Sequence, residues 1–190
     1  MKKLLLKYKS SFPVGIIILV CILLLSCEKK TGFIPKSDLL NLPSLTAKDF
    51  KTVANDSGKL QVVMYAPLLE QYDNKSIPYS EFKSGIRVVF YEGKKDSVAS
   101  VTAKYAKYTK KDNLWELRDS VVVINEKGDR LETELLNWNQ SNDRIYTDRF
   151  VKITNVDQIT MGTGLESNSK MTVVKIKKVT ATIYLPKDEQ

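Results

Sequence analysis

The residues whose types and spacing could do chemistry stand near the start of the chain: Leu24, Leu25, Ser26 and Cys27, an apolar-x-small-Cys arrangement that closes an apolar run. It resembles the lipobox read by the lipoprotein signal peptidase, with Leu25 where a small residue is usual. The small Ser26 lets a protease approach the bond, and the Cys27 thiol can carry a thioether-linked diacylglycerol. Lys2, Lys3, Lys7 and Lys9 precede the apolar run over 14–25, which is the layout of a secretory signal. A membrane span needs about 20 apolar residues, and the stretch 12–25 is shorter and interrupted by Pro13 and Gly15. Residues 1–26 are therefore expected to be removed as a signal peptide, with Cys27 left as the lipidated N-terminus of an exported chain. Two acyl chains hold a protein to a membrane where one gives only marginal binding.

Little other chemistry is on offer. The chain of 190 residues has no histidine, and of its two cysteines Cys21 leaves with the signal. That removes Ser-His-Asp and Cys-His nucleophiles, the common zinc ligand sets and any disulfide within one mature chain. The acidic residues are scattered along strand positions and turns, without the loop spacing calcium needs. No catalytic residue, metal ligand or cofactor is assigned, and the protein is expected not to be an enzyme. Gly162-Thr163-Gly164 suggests a phosphate loop, but no helix pattern follows it; a strand bend fits better. Trp115 and Trp138 could stack on a sugar, yet aromatic residues at alternating positions more often belong to a sheet core. Losing the four signal lysines leaves 26 basic against 22 acidic residues, so the formal +8 falls to +4. That excess is mild and unclustered, which argues against nucleic acid as a partner.

What remains must be positioned by strands. Residues 27–58, with Pro35, Pro43 and the turn cluster Asn55-Asp56-Ser57-Gly58, read as a tether that holds at most a turn or two of helix over 45–53. Residues 59–190 read as one all-β domain. Its alternating runs, rich in Val, Ile, Tyr, Thr and Trp, cover 60–65, 85–91, 98–108, 115–124, 130–138, 144–154, 158–165 and 171–185. Turn signals separate them at Glu92-Gly93, Lys111-Asp112-Asn113, residues 126–129 and Ser141-Asn142-Asp143.

An internal similarity organises the middle of the domain. Residues 101–108 align without gaps on 131–138, and at the same offset of 30 Trp115 meets Ile145, Leu117 meets Thr147, Val121 meets Val151 and Val123 meets Ile153. Each unit is a strand pair that cannot bury its own face, so the units must stack into a layered, continuous core. Alternation puts Val101, Ala103 and Tyr105 on one face with Leu131, Thr133 and Leu135 and with Ile145, Thr147, Val151 and Ile153. Lys104, Lys107, Glu132, Glu134 and Lys152 take the other. Near the end the phase changes between Val174 and Ile176 on one side and Val179, Ala181 and Ile183 on the other, which predicts a bulge or turn at Lys177-Lys178.

Several phrases in this order are similar to the LptC family of lipopolysaccharide-transport proteins, in its lipoprotein-anchored form. They are the stretches 64–67 (MYAP), 79–86 (YSEFKSGI), 103–106 (AKYA), 115–117 (WEL) with 121–125 (VVVIN), 131–133 (LET) with Trp138-Asn139, 145–148 (IYTD) with Val151, and 162–165 (GTGL). The resemblance covers about 59–185. The front end departs from it, because better-studied members keep an uncleaved helix where this chain has Cys27. The resemblance implies an open, V-shaped, OstA-like β-jellyroll of antiparallel strands that accepts lipopolysaccharide from an inner-membrane ABC transporter. It would pass that cargo to a periplasmic bridge of similar jellyrolls, from a periplasm-facing position on the inner membrane. On this reading Val121, Val123, Leu135, Ile145, Val151 and Ile153 line an acyl-sheltering groove. The last strand, with Val174, Ile176, Val179 and Ile183, is the partner-docking edge. The competing reading is a non-catalytic envelope lipoprotein that binds protein or polysaccharide and has a closed, dry core.

Overall fold

The computed structural model describes residues 41–56, 59–92 and 97–185; the signal peptide, Cys27 and the first part of the tether lie outside the described residues. Eleven strands follow one another: β1 (Leu45–Asp56), β2 (Lys59–Tyr72), β3 (Tyr79–Phe82), β4 (Ile86–Tyr91), β5 (Ser97–Ala103), β6 (Tyr105–Thr109), β7 (Leu114–Ile124), β8 (Arg130–Asn139), β9 (Arg144–Thr154), β10 (Gln158–Ser167) and β11 (Val174–Tyr184). All pairings are antiparallel.

The pairing is simpler than eleven strands suggest. β2 pairs with β4 through its first half (Val62 opposite Phe90) and with β3 through its last residues (Tyr72 opposite Tyr79). β7 likewise pairs with β6 through Leu114–Arg118 and with β5 through Val122–Ile124. β3 and β4 thus form one strand bent at Lys83-Ser84-Gly85, and β5 and β6 one strand bent at Lys104. The described residues form an up-and-down meander of nine strands folded along one line, so that two half-sheets of equal strand order face each other.

The fold line is written in backbone angles. Asp49 (φ 49°), Gly85 (φ 95°), Asp119 (φ 61°), Ser120 (φ 54°) and Gly164 (φ 76°) lie along it in left-handed conformations. Short Asp and Ser side chains and Gly tolerate that region where bulky residues do not. At Gly85 a Cβ would stand 3.0 Å from the Ala103 carbonyl oxygen of the neighbouring strand. Lys104 N donates to Asp119 O at 3.0 Å and stitches two bends together. The ladder registers of β7–β8, β8–β9 and β9–β10 all shift at this level.

The core lies inside the fold and draws on both half-sheets. Leu131, Leu136, Leu165, Val121 and Val151 are essentially sealed, and Ala66, Leu69, Phe82, Ile86, Ala106, Leu117, Val123 and Ile145 surround them. Across the gap the Phe90 ring meets the Trp138 ring edge-on at 6.4 Å between centroids, and both tryptophans pack against the core.

Three expectations are corrected. Residues 45–56, read as tether, form β1, paired with β2 along its whole length; only Ala47 and Phe50 of it touch the core, so the apolar alternation that marks a strand is weak. Tyr105 and Leu135 do not share the core face. One residue is taken up at the bend, which flips the phase and sends Ala106 and Leu136 inward instead. The irregularity in β11 lies not at Lys177-Lys178 but at Thr180, skipped between the pairs Gly162–Val179 and Met161–Ala181.

Candidate functional site: an apolar interior ending at free edges

The inner face is built by the central strands β7, β8 and β9. Their sequences put Val, Leu and Ile at alternate positions and change phase only at the fold line. Of the six residues expected to line a groove, Val121, Val123, Ile145 and Val151 are buried together between the half-sheets, and Ile153 is half-buried against them. Leu135 is separated from them. It is half-buried on the outer face, where with Phe150 and the charged Glu116, Arg118, Glu132, Arg149 and Lys152 it lines a cleft of about 840 Å³ beside the fold line. Alternation could not find Leu136, Leu165 and Met171 as interior residues. Met171 enters from the β10–β11 loop with φ 53°, held by hydrogen bonds of Met171 N to Asn168 O (3.0 Å) and Thr172 N to Asn168 Oδ1 (2.9 Å).

The threonine hydroxyl oxygens inside are bonded locally. Thr133 Oγ1 donates to the Phe150 carbonyl at 2.8 Å, and Arg149 N donates to Thr147 Oγ1 at 3.1 Å. Both bonds hold the bends of β8 and β9. Asn125 caps the β7–β8 turn by donating from Nδ2 to Asp129 Oδ2 and accepting at Oδ1 from the Lys127 and Asp129 amides.

Ion pairs mark the outer face of the described residues. The Lys83 ammonium lies 2.6 Å from Glu70 Oε2 and 3.5 Å from Glu81, and it donates to Tyr72 Oη at 3.1 Å. These contacts hold the Glu70 carboxyl below, and the Lys83 ammonium above, their ordinary ranges. Burial, with the hydrogen bond to Glu81, raises the Tyr105 phenol. On the central strands Glu132 accepts from Arg130 (3.1 Å), lies 3.6 Å from Lys152 and titrates low as a result. At the edge Glu166 is held low by Lys177 and Arg144. Among the described residues no group of three or more His, Cys, Asp or Glu side chains converges to hold a metal ion.

The edges differ from the centre. Among the described residues β1 pairs only with β2, and β11 only with β10. Of the expected docking residues on β11, Val174, Val179 and Ile183 are exposed, with Tyr184 beside them, while Ile176 turns inward against the core. An unpaired strand with apolar side chains is a template for another strand.

A profile of the family described as lipopolysaccharide-assembly, LptC-related, matches residues 14–185, nearly the whole chain. The chain belongs to this family. The resemblance carried by the strand phrases is therefore borne out, as is the antiparallel β-jellyroll it implies. Membership gives the protein a role in lipopolysaccharide transport, in a family of transport scaffolds rather than of catalysts. LptC proteins face the periplasm in association with the inner membrane. No curated protein matches the sequence.

Proposed function

We propose that the folded sheet is a passive conduit. It takes lipopolysaccharide from an inner-membrane ABC transporter, shelters the acyl chains between its half-sheets, and hands the cargo to a bridging jellyroll protein docked on β11. The observation that carries this reading is the combination of a largely apolar inner face with a terminal strand, β11, that exposes Val174, Val179 and Ile183 and has one pairing partner among the described residues. Shelter of acyl chains gains about 25 cal/mol per Å² of apolar surface removed from water. Edge pairing makes one continuous sheet, hence one continuous inner face, from two jellyrolls. Leu131, Val151 and Leu165 are buried where the half-sheets meet, so cargo enters by parting the half-sheets at the mouth opposite the fold line. Their contact there is made by side chains such as Phe90 and Trp138, not by ladder hydrogen bonds.

The same proposal makes Cys27 the lipidated anchor that keeps the conduit beside its pump, with residues 28–44 as the leash. Replacing Cys27 leaves folding unchanged and weakens coupling to the transporter. The deciding experiment is photo-crosslinking in cells. Probes at Val123 and Ile153 capture lipopolysaccharide, probes at Val179 and Ile183 capture a jellyroll partner, and a probe at Lys104 captures neither. Lipid adducts at every position, or at none, would overturn the conduit.

A further inference from the structure

Among the described residues one buried side-chain polar atom has no hydrogen-bond partner, the indole Nε1 of Trp138. The interior hydroxyl oxygens of Thr133 and Thr147, by contrast, are both bonded. A buried donor without an acceptor costs stability, and phenylalanine would fill most of the same space without that cost.

The place of this donor is informative. Trp138 is on the inner face near the end of β8, opposite Trp115 on β7 and Ile145 on β9. Its ring meets Phe90 of the facing half-sheet. The orphan N–H therefore stands where the two half-sheets touch near the mouth, on the path of anything that slips between them.

The acceptor it fits follows from electrostatics. Lys and Arg side chains of the central strands lie on the outer face or in the turns, so a phosphate or carboxylate reaching Nε1 would be buried without a counter-charge, at high cost. A neutral carbonyl on an otherwise apolar molecule has no such cost. We propose that Trp138 Nε1 is a cargo-binding donor, reserved for the ester or amide carbonyl at the root of a fatty acyl chain. The chain parts Phe90 from Trp138, its carbonyl stops at the indole, and its tail runs on among Leu131, Leu136 and Val151. The inference rests on the acyl-sheltering reading above and adds to it a fixed depth at which the polar end of each chain halts.

The test uses the mature protein and two probes, a short-chain diacyl ester phospholipid below its micelle concentration and the dialkyl ether analogue that lacks the carbonyls. Wild-type protein should bind the ester about five- to tenfold more tightly than the ether. Trp138→Phe should lose that preference and bind ester and ether alike. If the smaller ring loosens the core, β-(3-benzothienyl)alanine at 138 keeps the bicyclic shape and deletes the N–H; it should give the same loss of preference. Equal weakening of ester and ether, or an ester preference that survives both changes, overturns the proposal while leaving the conduit standing. Failure of wild type to bind either lipid overturns both.

Discussion

Valine stands at 121 and 151 in the middle of the sheet and at 174 and 179 on its last strand. The first pair is exposed by 1% and 0%, the second by 39% and 55%. Side chain and backbone conformation are the same, and only the company differs. β7 and β9 each have a strand on both sides and a facing half-sheet above, whereas β11 has β10 on one side and nothing among the described residues on the other. Apolar residues in the centre thus hold the fold, and the same residues at the edge are available to another molecule. Changes in the centre should reduce stability and function together; changes at the edge should separate them.

The largest effect is expected at Leu131, sealed between the half-sheets. Leu131→Ala should cost about 2–5 kcal/mol in urea unfolding, a large share of the roughly 5–15 kcal/mol that holds a domain of this kind together. A loss below about 1 kcal/mol would mean that the half-sheets already part easily, and the centre would then not be the rigid member of the comparison.

Gly162 lies between the two regimes. A Cβ there would meet Ile176 Cγ2 and the Lys178 carbonyl oxygen, each at 2.5 Å. Gly162→Ala must therefore push β11 away from β10, at about 1–3 kcal/mol. Hydrogen exchange should quicken in β11 and leave β7–β9 protected. Uniform loosening would show that edge and centre unfold as one.

Val179→Lys with Ile183→Lys should change stability by no more than about 0.5 kcal/mol per site, since both side chains are exposed. Crosslinking to the jellyroll partner should nevertheless fail, because charge on an edge strand opposes pairing. A double variant that docks normally would remove β11 as the docking edge.

How much of this was legible in the sequence follows the same division. The repeat of 30 residues marked the central hairpins, and β7 and β9 kept their faces because Leu117 to Val121 and Thr147 to Val151 both step across the bend by four residues, which preserves parity. β8 crosses from Thr133 to Leu136 in three. Nothing in the string Glu132 to Leu136 marks that odd step, since adjacent leucines at 135 and 136 satisfy either phase. β1 escaped notice because an edge strand held mainly by backbone bonds to β2 needs few apolar residues. The fold line itself was nearly invisible, because Asp49, Asp119 and Ser120 look like ordinary turn or surface residues until their backbone angles are seen. Trp138 was read as core, correctly for its ring; its unpartnered N–H depends on where the facing half-sheet falls.

The smallest effect concerns what ties the edge to the centre. Glu166 on β10 accepts from Arg144 of β9 at 2.9 Å and from Lys177 of β11 at 3.1 Å, so one carboxylate spans three strands. Lys177, then Arg144, holds its pKa below the usual 4.5. A carboxyl with a depressed folded pKa adds stability that is fully present above its unfolded pKa and is lost as pH falls through the folded one. The group is exposed and salt screens it, so global unfolding should scarcely register the change. Exchange of β11 amides at low ionic strength should register it: protection falls as pH drops below about 4.5, and Glu166→Gln shows the lower protection at all pH values with a flattened dependence. Glu132 makes the equivalent link between β8 and β9, and its protonation over the same range should leave exchange there unchanged, because those strands are clamped by Leu131 and Val151. Equal sensitivity at both sites would mean that ion pairs, not burial, distinguish the edge of this sheet from its centre.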